Sequence, residues 1–462
     1  MQWKDSKVLV LGLGDTGLSM ARWLARHGAR VRVADSRDEP PHARTLAAEY
    51  PQIPVETGAY RPASFENIDA IAISPGVDRR EAPVVEALRR GTPVVGDIEI
   101  FAQTLPHIAR ARRGDRPQVI AVTGSNGKST VTAMAGAACT AAGCDTLVAG
   151  NIGVPVLDAL SEIENGQALP RVVVLELSSF QLESTQTLAP DAATVLNVTE
   201  DHLDRYDGIE DYAAAKARIF EGARVQVMNR MDARSMGMAR SHDAVTFGLD
   251  VPARDCDWGL IGSSSLARGK QALMPVADLP LAGLHNASNA LAALALGHAI
   301  GLEPERMLEG LRTFRGLPHR LERAGEIGGV TFFDDSKGTN VGATVAALNG
   351  MTLPVVLIAG GDGKGQDFAP LEPAVAAKAR AVVLIGRDAD AIARALAGAG
   401  VPLLRAETMD DAVKTAYAAA VTGDAVLLSP ACASYDMFRS YVHRGHAFVR
   451  AVRALGGEDP AP

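Results

Sequence analysis

The sequence predicts an α/β protein of three successive domains, over residues 1–96, 97–316 and 317–462. Short apolar runs alternate with segments whose apolar residues recur at helical spacing, the pattern of parallel sheets with right-handed crossovers. Glycine-rich turns close several of the apolar runs. The length, 462 residues, suits about three domains at roughly 150 residues each.

In the first unit, residues 8–11 form a short buried run closed by a glycine turn. Leu18, Ala21, Trp23, Leu24 and Ala25 then follow a helical pattern. Residues 31–34 read as a second strand, residues 71–73 as a later strand ended by Ser74-Pro75-Gly76, and Val94-Val95 as the last. The Arg-rich stretch 110–116 reads as a solvated helix end. The second unit then opens with a strand at 119–122, a loop at 124–128 and an Ala-rich helix at 129–142. Residues 172–177 and 193–198 are further buried strands, 212–220 a helical run and 286–301 a strong helix. The third unit holds strands at 330–333, 355–359, 381–385 and 425–428, separated by helices, and the chain ends in a polar tail at 458–462. No short-period repeat is present.

Composition narrows the function classes. Hydrophobic residues make up 47%, enough for packed cores, which excludes a mainly disordered chain. The net charge of −8 argues against a dedicated nucleic-acid binder, which wants a basic footprint. Cys139, Cys144, Cys256 and Cys432 form no CxxC pair and no zinc-finger spacing, as expected of a reduced, cytoplasmic protein. The N-terminal residues from Met1 and Gln2 onward lack a signal-peptide cleavage site, and no apolar run reaches the ~18 residues of a membrane span.

Gly12-Leu13-Gly14-Asp15-Thr16-Gly17 lies between a strand and a helix, with Asp35 at the end of the next strand. Such glycines let the backbone approach a pyrophosphate at a helix N-terminus, and the acid can accept from a ribose or base. The next motif begins at Thr123, which leaves little room for an NAD domain. Another nucleotide diphosphate is the favoured ligand, with NAD and a plain tight turn still open.

Thr123-Gly124-Ser125-Asn126-Gly127-Lys128-Ser129-Thr130 also joins a strand to a helix, the context a phosphate loop requires. Lys128 would reach the β- and γ-phosphates, and the Ser129 hydroxyl would hold Mg²⁺. Val122 stands where the common pattern has its first glycine, so the fit is imperfect. Glu176 ends a strand and suits an Mg²⁺ ligand, or a solvated strand end. His202, in Glu200-Asp201-His202-Leu203-Asp204, could ligate a second cation, although a lone histidine is more often structural. Lys216, on its helical run, reads from the residues alone as a surface lysine.

The third unit adds Pro318-His319-Arg320, Asp334-Asp335-Ser336-Lys337-Gly338-Thr339-Asn340 and Gly360-Gly361-Asp362-Gly363-Lys364-Gly365. The last reads equally as a phosphate loop and as a glycine turn. Ser429-Pro430-Ala431-Cys432-Ala433-Ser434 caps another strand. Strand ends carrying Lys, Arg, Asp and Ser suggest one cleft for anionic ligands.

In this order, the loop 123–130, Glu176-Leu177-Ser178-Ser179, the segment 200–204, His285-Asn286-Ala287-Ser288-Asn289-Ala290, Leu317-Pro318-His319-Arg320 and Asp335-Ser336-Lys337 resemble the Mur ligases. These are the ATP-dependent amide-bond ligases of peptidoglycan precursor synthesis, and the resemblance covers nearly the whole chain. The glycine loop 12–17, Ser74-Pro75-Gly76, Gly96-Asp97-Ile98-Glu99-Ile100-Phe101 and residues 429–434 with Asp436 and Phe438 are most similar to the member that joins D-glutamate to UDP-N-acetylmuramoyl-L-alanine. The Asp-Asn-Pro-Arg signature of the diamino-acid-adding member and the His-led glycine loop of the alanine-adding member are absent. Another Mur-type or a folate-type amino-acid ligase is the alternative. A dehydrogenase built on residues 12–17 and a non-catalytic nucleotide sensor are the readings from other classes.

The resemblance implies Rossmann-like N- and C-terminal domains around a central P-loop ATPase-type sheet. It places the UDP substrate on Gly14, Asp15, Thr16, Asp35, Ser36, Arg37, Ser74 and Gly76, with Asn151, Ser178 and Gln181 at its muramoyl part. ATP would meet Gly124, Ser125, Asn126, Gly127, Lys128, Ser129, Thr130, Asn289, Arg320, Asp335 and Lys337. Ser129 and Glu176 would hold one Mg²⁺, and His202 with Lys216 as its carbamate a second. Lys128, His202 and Lys216 are the implied catalytic residues. Thr339, Lys364, Ser434 and Tyr441 would receive D-glutamate. Tyr441 departs from the family's phenylalanine, and Asp15 from an apolar residue; an acid near a diphosphate is expected to point to solvent. The stretch 37–57 is longer than usual. The partners are small molecules, with no nucleic acid or membrane insertion, and a monomer is expected.

Overall fold

The structure is a computed structural model that describes residues 3–112, 114–240, 244–262, 264–281 and 283–457. The polar tail at 458–462, the first two residues and Arg113 of the basic stretch lie outside the described residues. The chain folds around three sheets.

The first sheet is parallel, in the order Val55–Thr57, Arg30–Asp35, Lys7–Leu11, Ala70–Ile73 and Val94–Val95. Val8, Leu9, Val10 and Leu11 are all essentially inaccessible, because helices cover both faces of such a sheet. Helix Asp15–Arg26 turns Leu18, Met20, Trp23 and Leu24 inward. The strands on either side of Lys7–Leu11 leave its C-terminal end open, the usual ligand position in such sheets.

The second sheet has nine strands. Strand Gln118–Thr123 lies between Val172–Glu176 and Ala192–Val195, with Thr146–Gly150 at one edge, all parallel. Helices Lys128–Ala141, Leu284–Ala299 and Pro304–Thr313 pack on one face. On the other, one apolar cluster runs from Val10 and Trp23 through Phe101 and Leu160 to Val173 and Val195, so the first two sheets share a core. The strand read at 193–198 stops at Val195; beyond it the chain turns to pair with the phosphate loop, Asn197 accepting from the Ser125 N–H.

The third sheet runs Glu322–Ile327, Val330–Asp334, Ala425–Leu428, Val355–Gly360, Ala379–Ile385 and Leu403–Arg405. Three departures from all-parallel order have a local cause. Trp258–Ile261 with Ser265–Arg268 has Gly262 at its turn, Ser265–Arg268 with Gln271–Pro275 turns at Gly269, and Glu322–Ile327 with Val330–Asp334 turns at Gly328-Gly329. Those glycines have positive φ. So short a loop can join only antiparallel strands, since a parallel pair needs a crossover. Within the stretch 37–57, residues Ala43–Glu49 are helical and Val55–Thr57 form the edge strand. No helix among the described residues is long and apolar enough to cross a membrane.

Candidate active site

The loop after strand Gln118–Thr123 has two glycines in backbone conformations that side chains resist, with φ +154° at Gly124 and +82° at Gly127. A Cβ at Gly127 would lie 2.9 Å from Asn289 Oδ1, so the loop rests directly on helix Leu284–Ala299. Gly127 ends the loop at the N-terminus of helix Lys128–Ala141, where free N–H groups and the helix dipole favour phosphate. Lys128 Nζ donates to the carbonyls of Gly124 and Ser125, each at 2.9 Å, and burial pushes its pKa down. Asn126, Gly127, Thr130, Asn289, Arg320 and Asp335 line one cavity of about 450 Å³, whose apolar wall includes Leu281 and Phe333. An apolar slot with a few polar groups suits a purine.

Glu176 ends the neighbouring strand and is 1% exposed. Its Oε1 accepts from Asn151 Nδ2 at 2.9 Å, while Oε2 has no hydrogen-bond partner among the described residues. Burial opposes its ionisation, but the ammoniums of Lys128 and Lys337 hold the carboxyl below its usual range. An orphaned buried carboxylate oxygen beside a phosphate loop is a good hard-cation ligand. Lys216 overturns its surface reading. It is 1% exposed, donates to the same Gly124 carbonyl at 2.9 Å, and lies 4.3 Å above the Tyr212 ring. Burial, reinforced by the charge of Lys128, pushes its pKa well down from the usual lysine value. The imidazole of His202 is pushed down to about 4 by burial, which outweighs the pull of Asp201, so it is neutral at pH 7 as a metal ligand must be.

The third sheet delivers a second set of groups to this cleft. Arg320 Nη2 donates to Ser129 Oγ at 3.3 Å. Asp335 is pushed up to about 7 by burial, although Ser429 Oγ donates to it at 2.7 Å. Burial brings Lys337 down to about 8, and its ammonium lies 5.1 Å from the Tyr441 ring centre. Thr339, Lys364, Ser434 and Tyr441 line a cavity of about 610 Å³ together with His202. Of the seven described non-glycine residues with positive φ, His202, His319, Leu321, Lys364 and Ala431 sit in the loops around this cleft. Such strain, about 1–3 kcal/mol each, concentrates where function needs a fixed geometry.

The residues expected at the UDP substrate divide between two cavities. Asp15, Thr16, Asn151 and Gln181 line one of about 660 Å³, which Lys337 and Tyr441 also reach. Ser36 and Gly76 line the 610 Å³ cavity. Gly14 is the N-cap of helix Asp15–Arg26. Ser74 Oγ donates to the Gly12 carbonyl at 3.0 Å. Both oxygens of Asp35 are engaged, accepting from the Leu13 N–H at 2.6 Å and from the Arg37 guanidinium at 2.6 and 2.8 Å. Asp35 therefore holds the glycine loop as well as presenting Arg37. The Asp15 side chain is 85% exposed and meets His42 Nε2 at 2.7 Å, which gives the stretch 37–57 one definite contact. Ser178 caps helix Ser179–Glu183 through a capping box with Gln181.

Sequence reasoning passed over four residues here. Asp97 accepts from Gln181 Nε2 at 3.1 Å and thereby fixes which way that amide points. Arg444, 1% exposed, donates to Ser336 and to the carbonyls of Cys432 and Ala433, joining two strand-end loops. Asp201 and Asn340 meet across the cleft. Their partners lie far away in sequence, so no local spacing marks them.

Comparison with known proteins identifies the family. The Mur ligase middle domain matches residues 122–297, the MurD-like Mur ligase N-terminal domain residues 6–96, and the Mur ligase glutamate ligase domain residues 319–432. The UDP-N-acetylmuramoylalanine–D-glutamate ligase of Thiobacillus denitrificans is 56% identical over 99% of this chain and 98% of its own. The protein of the same name from Methylobacillus flagellatus is 56% identical over 98% of each chain. In fold, the solved UDP-N-acetylmuramate–alanine ligase of Thermotoga maritima superposes with a TM-score of 0.60 over 97% of this chain and 100% of that one, at 21% identity. The chain belongs to the Mur ligase family.

Proposed function

We propose that this protein joins the amino group of D-glutamate to the L-alanine carboxyl of UDP-N-acetylmuramoyl-L-alanine, at the expense of ATP, in peptidoglycan precursor synthesis. Mur ligases are ATP-dependent and use Mg²⁺. The observation that carries the reading is the convergence of Lys128, Glu176 and Lys216 on one phosphate loop, beside a cavity lined by Thr339, Lys364 and Ser434.

In this reading residues 1–96 bind the UDP part, 97–316 bind ATP, and 317–462 bring the acceptor amino acid and close over the nucleotide. Ser129 and Glu176 hold one Mg²⁺; His202 and carbamylated Lys216 hold a second. Burial disfavours the ammonium form of Lys216 and so suits carbamylation: the lone pair of the deprotonated amine forms an N–C bond to CO₂, a proton leaves, and the side chain becomes an anionic oxygen ligand. Bound metal supplies charge neutralisation at the transferring phosphate.

A carboxylate is a poor acyl donor because its leaving group would be oxide. Phosphoryl transfer from ATP to the alanine carboxylate, with ADP leaving, makes an acyl phosphate. The glutamate amine attacks that carbonyl carbon, loses a proton, and phosphate departs from the tetrahedral intermediate. Lys128 and the loop N–H groups hold the γ-phosphate, and Arg320 and Lys337 add positive charge where negative charge builds. Asn151, Ser178 and Gln181 orient the muramoyl carboxylate. Thr339, Lys364, Ser434 and Tyr441 fix the glutamate carboxylates so that its amine faces the acyl carbon. Apposition of the third domain excludes the water that would hydrolyse the acyl phosphate. The protein works as a cytoplasmic monomer. Mass spectrometry of the product tests the reading: one glutamyl residue is added per ADP formed, and ADP without that adduct would refute it.

A further inference from the structure

Asp201 sits one residue before His202, and its side chain is 6% exposed. Two groups from the third domain converge on it. Lys364 places its ammonium against Oδ1, with the lysine side chain only 11% exposed. Asn340 donates from Nδ2 to Oδ2 at 3.1 Å. Asn340 is also the N-cap of helix Val341–Gly350, its Oδ1 accepting from the Ala343 N–H at 2.9 Å, and it follows Thr339 directly. One buried carboxylate thus touches Lys364 itself, the neighbour of Thr339 and the backbone of His202, whose N–H donates to Oδ1 at 3.0 Å. Thr339 and Lys364 stand on separate loops, after strands Val330–Asp334 and Val355–Gly360. Both backbones at the contact, His202 and Lys364, have positive φ, so the geometry is held rather than relaxed.

We propose that Asp201 is a positioning residue for the acceptor amino acid, a clasp that fixes the loops of Thr339 and Lys364 against the segment carrying His202. The inference rests on the reading that Thr339 and Lys364 receive the acceptor's carboxylates. An amine attacking an acyl phosphate needs an alignment set across two domains. Asp201 supplies it by holding both acceptor loops at one point of the central domain. The carboxylate does not touch the reacting atoms; it sets the distance between Lys364 and the phosphate loop. A buried charge pair with a shared hydrogen bond is a stiff joint, and breaking one partner leaves the other buried and unpaired.

The test uses three variants of the full chain, with three further variants as controls. Asp201→Asn removes the charge facing Lys364. Asn340→Asp keeps the capping oxygen but sets a second carboxylate against Asp201. The double variant exchanges the two groups and restores an amide–carboxylate pair between positions 201 and 340. Each single change is expected to raise KM for D-glutamate about tenfold or more, with KM for ATP and for the UDP substrate within about twofold. The double variant is expected to recover to within about threefold of the parent, a coupling that independent effects cannot give. Asn340→Ser, which keeps a capping oxygen without added charge, guards against misfolding, and its far-ultraviolet circular dichroism should match the parent. Unchanged KM for D-glutamate in both single variants, with Lys364→Met raising it, overturns the clasp alone. Unchanged KM in Lys364→Met and Thr339→Val as well overturns the acceptor reading beneath it. A loss confined to kcat, with no recovery in the double variant, also overturns the clasp.

Discussion

Replacement of Lys216 by methionine should separate catalysis from stability. The side chain is almost fully buried, and its amine makes one hydrogen bond, to the Gly124 carbonyl at 2.9 Å. Methionine keeps an unbranched chain of similar length, so the packing against Tyr212 survives. The lost hydrogen bond is worth about 1 kcal/mol, and the relief of burying an amine offsets much of it. Stability should therefore change by no more than about 1 kcal/mol. Activity should fall far more. An anionic ligand removed from a water-excluded phosphoryl-transfer site costs about 3–4 kcal/mol, a factor of roughly 10²–10³ in turnover. Steady-state phosphate release and thermal unfolding on the same preparation measure the two effects together. Lys216→Ala leaves room for a small acid, so millimolar formate or acetate in chloride-free buffer should restore part of its rate. Near-parental turnover in both variants, with no response to acetate, would refute the carbamate reasoning.

Other expectations are as specific. Burial raises Asp335 from the usual carboxylate range to about 7, so between about pH 4 and 7 the folded chain holds a proton that the unfolded chain has released. That makes the folded state lose stability as pH rises through this window. Asp335→Asn should raise the melting temperature at pH 8 and have little effect at pH 4, by a few kcal/mol at most; an equal shift at both pH values contradicts it. Gly127→Ala combines a left-handed backbone with a Cβ 2.9 Å from Asn289 Oδ1. It should cost about 1–3 kcal/mol and raise KM for ATP more than for D-glutamate; an unchanged ATP KM argues against the loop's role. Arg444→Lys cannot span Ser336, Cys432 and Ala433 as the guanidinium does. It should raise KM for D-glutamate at least about fivefold with ATP affinity unaltered, since a buried charged hydrogen bond is worth about 1.5–3 kcal/mol.

Much of the architecture is legible because it is local. The strand 118–123, its glycine loop and the helix after it announce themselves within a dozen residues, and Gly12-Leu13-Gly14 does the same for the first sheet. Edge hairpins were less visible, since Ser265–Arg268 and Gln271–Pro275 are short and the alternation around them favoured parallel strands. The site is legible in parts only. Lys216 lies in a run of alanines with little amphipathic character, and its burial comes from Tyr212 and from a carbonyl 92 residues away. Only the family resemblance pointed to it. Asp201 is harder still. Its partners Asn340 and Lys364 are 139 and 163 residues distant, and no pattern along the chain records a contact made by apposing two domains. Asp35 shows the converse. The motif marks it as a ligand residue, while the fold also employs it to hold Leu13 and Arg37.

The most direct test of the proposed reaction is phosphate release from ATP, with Mg²⁺ and UDP-N-acetylmuramoyl-L-alanine, across a panel of amines. The panel compares D-glutamate with L-glutamate, L-lysine, meso-diaminopimelate and D-alanyl-D-alanine. Release that depends on D-glutamate alone is the expected result. Release driven by a different amine, or by none of them, would contradict it.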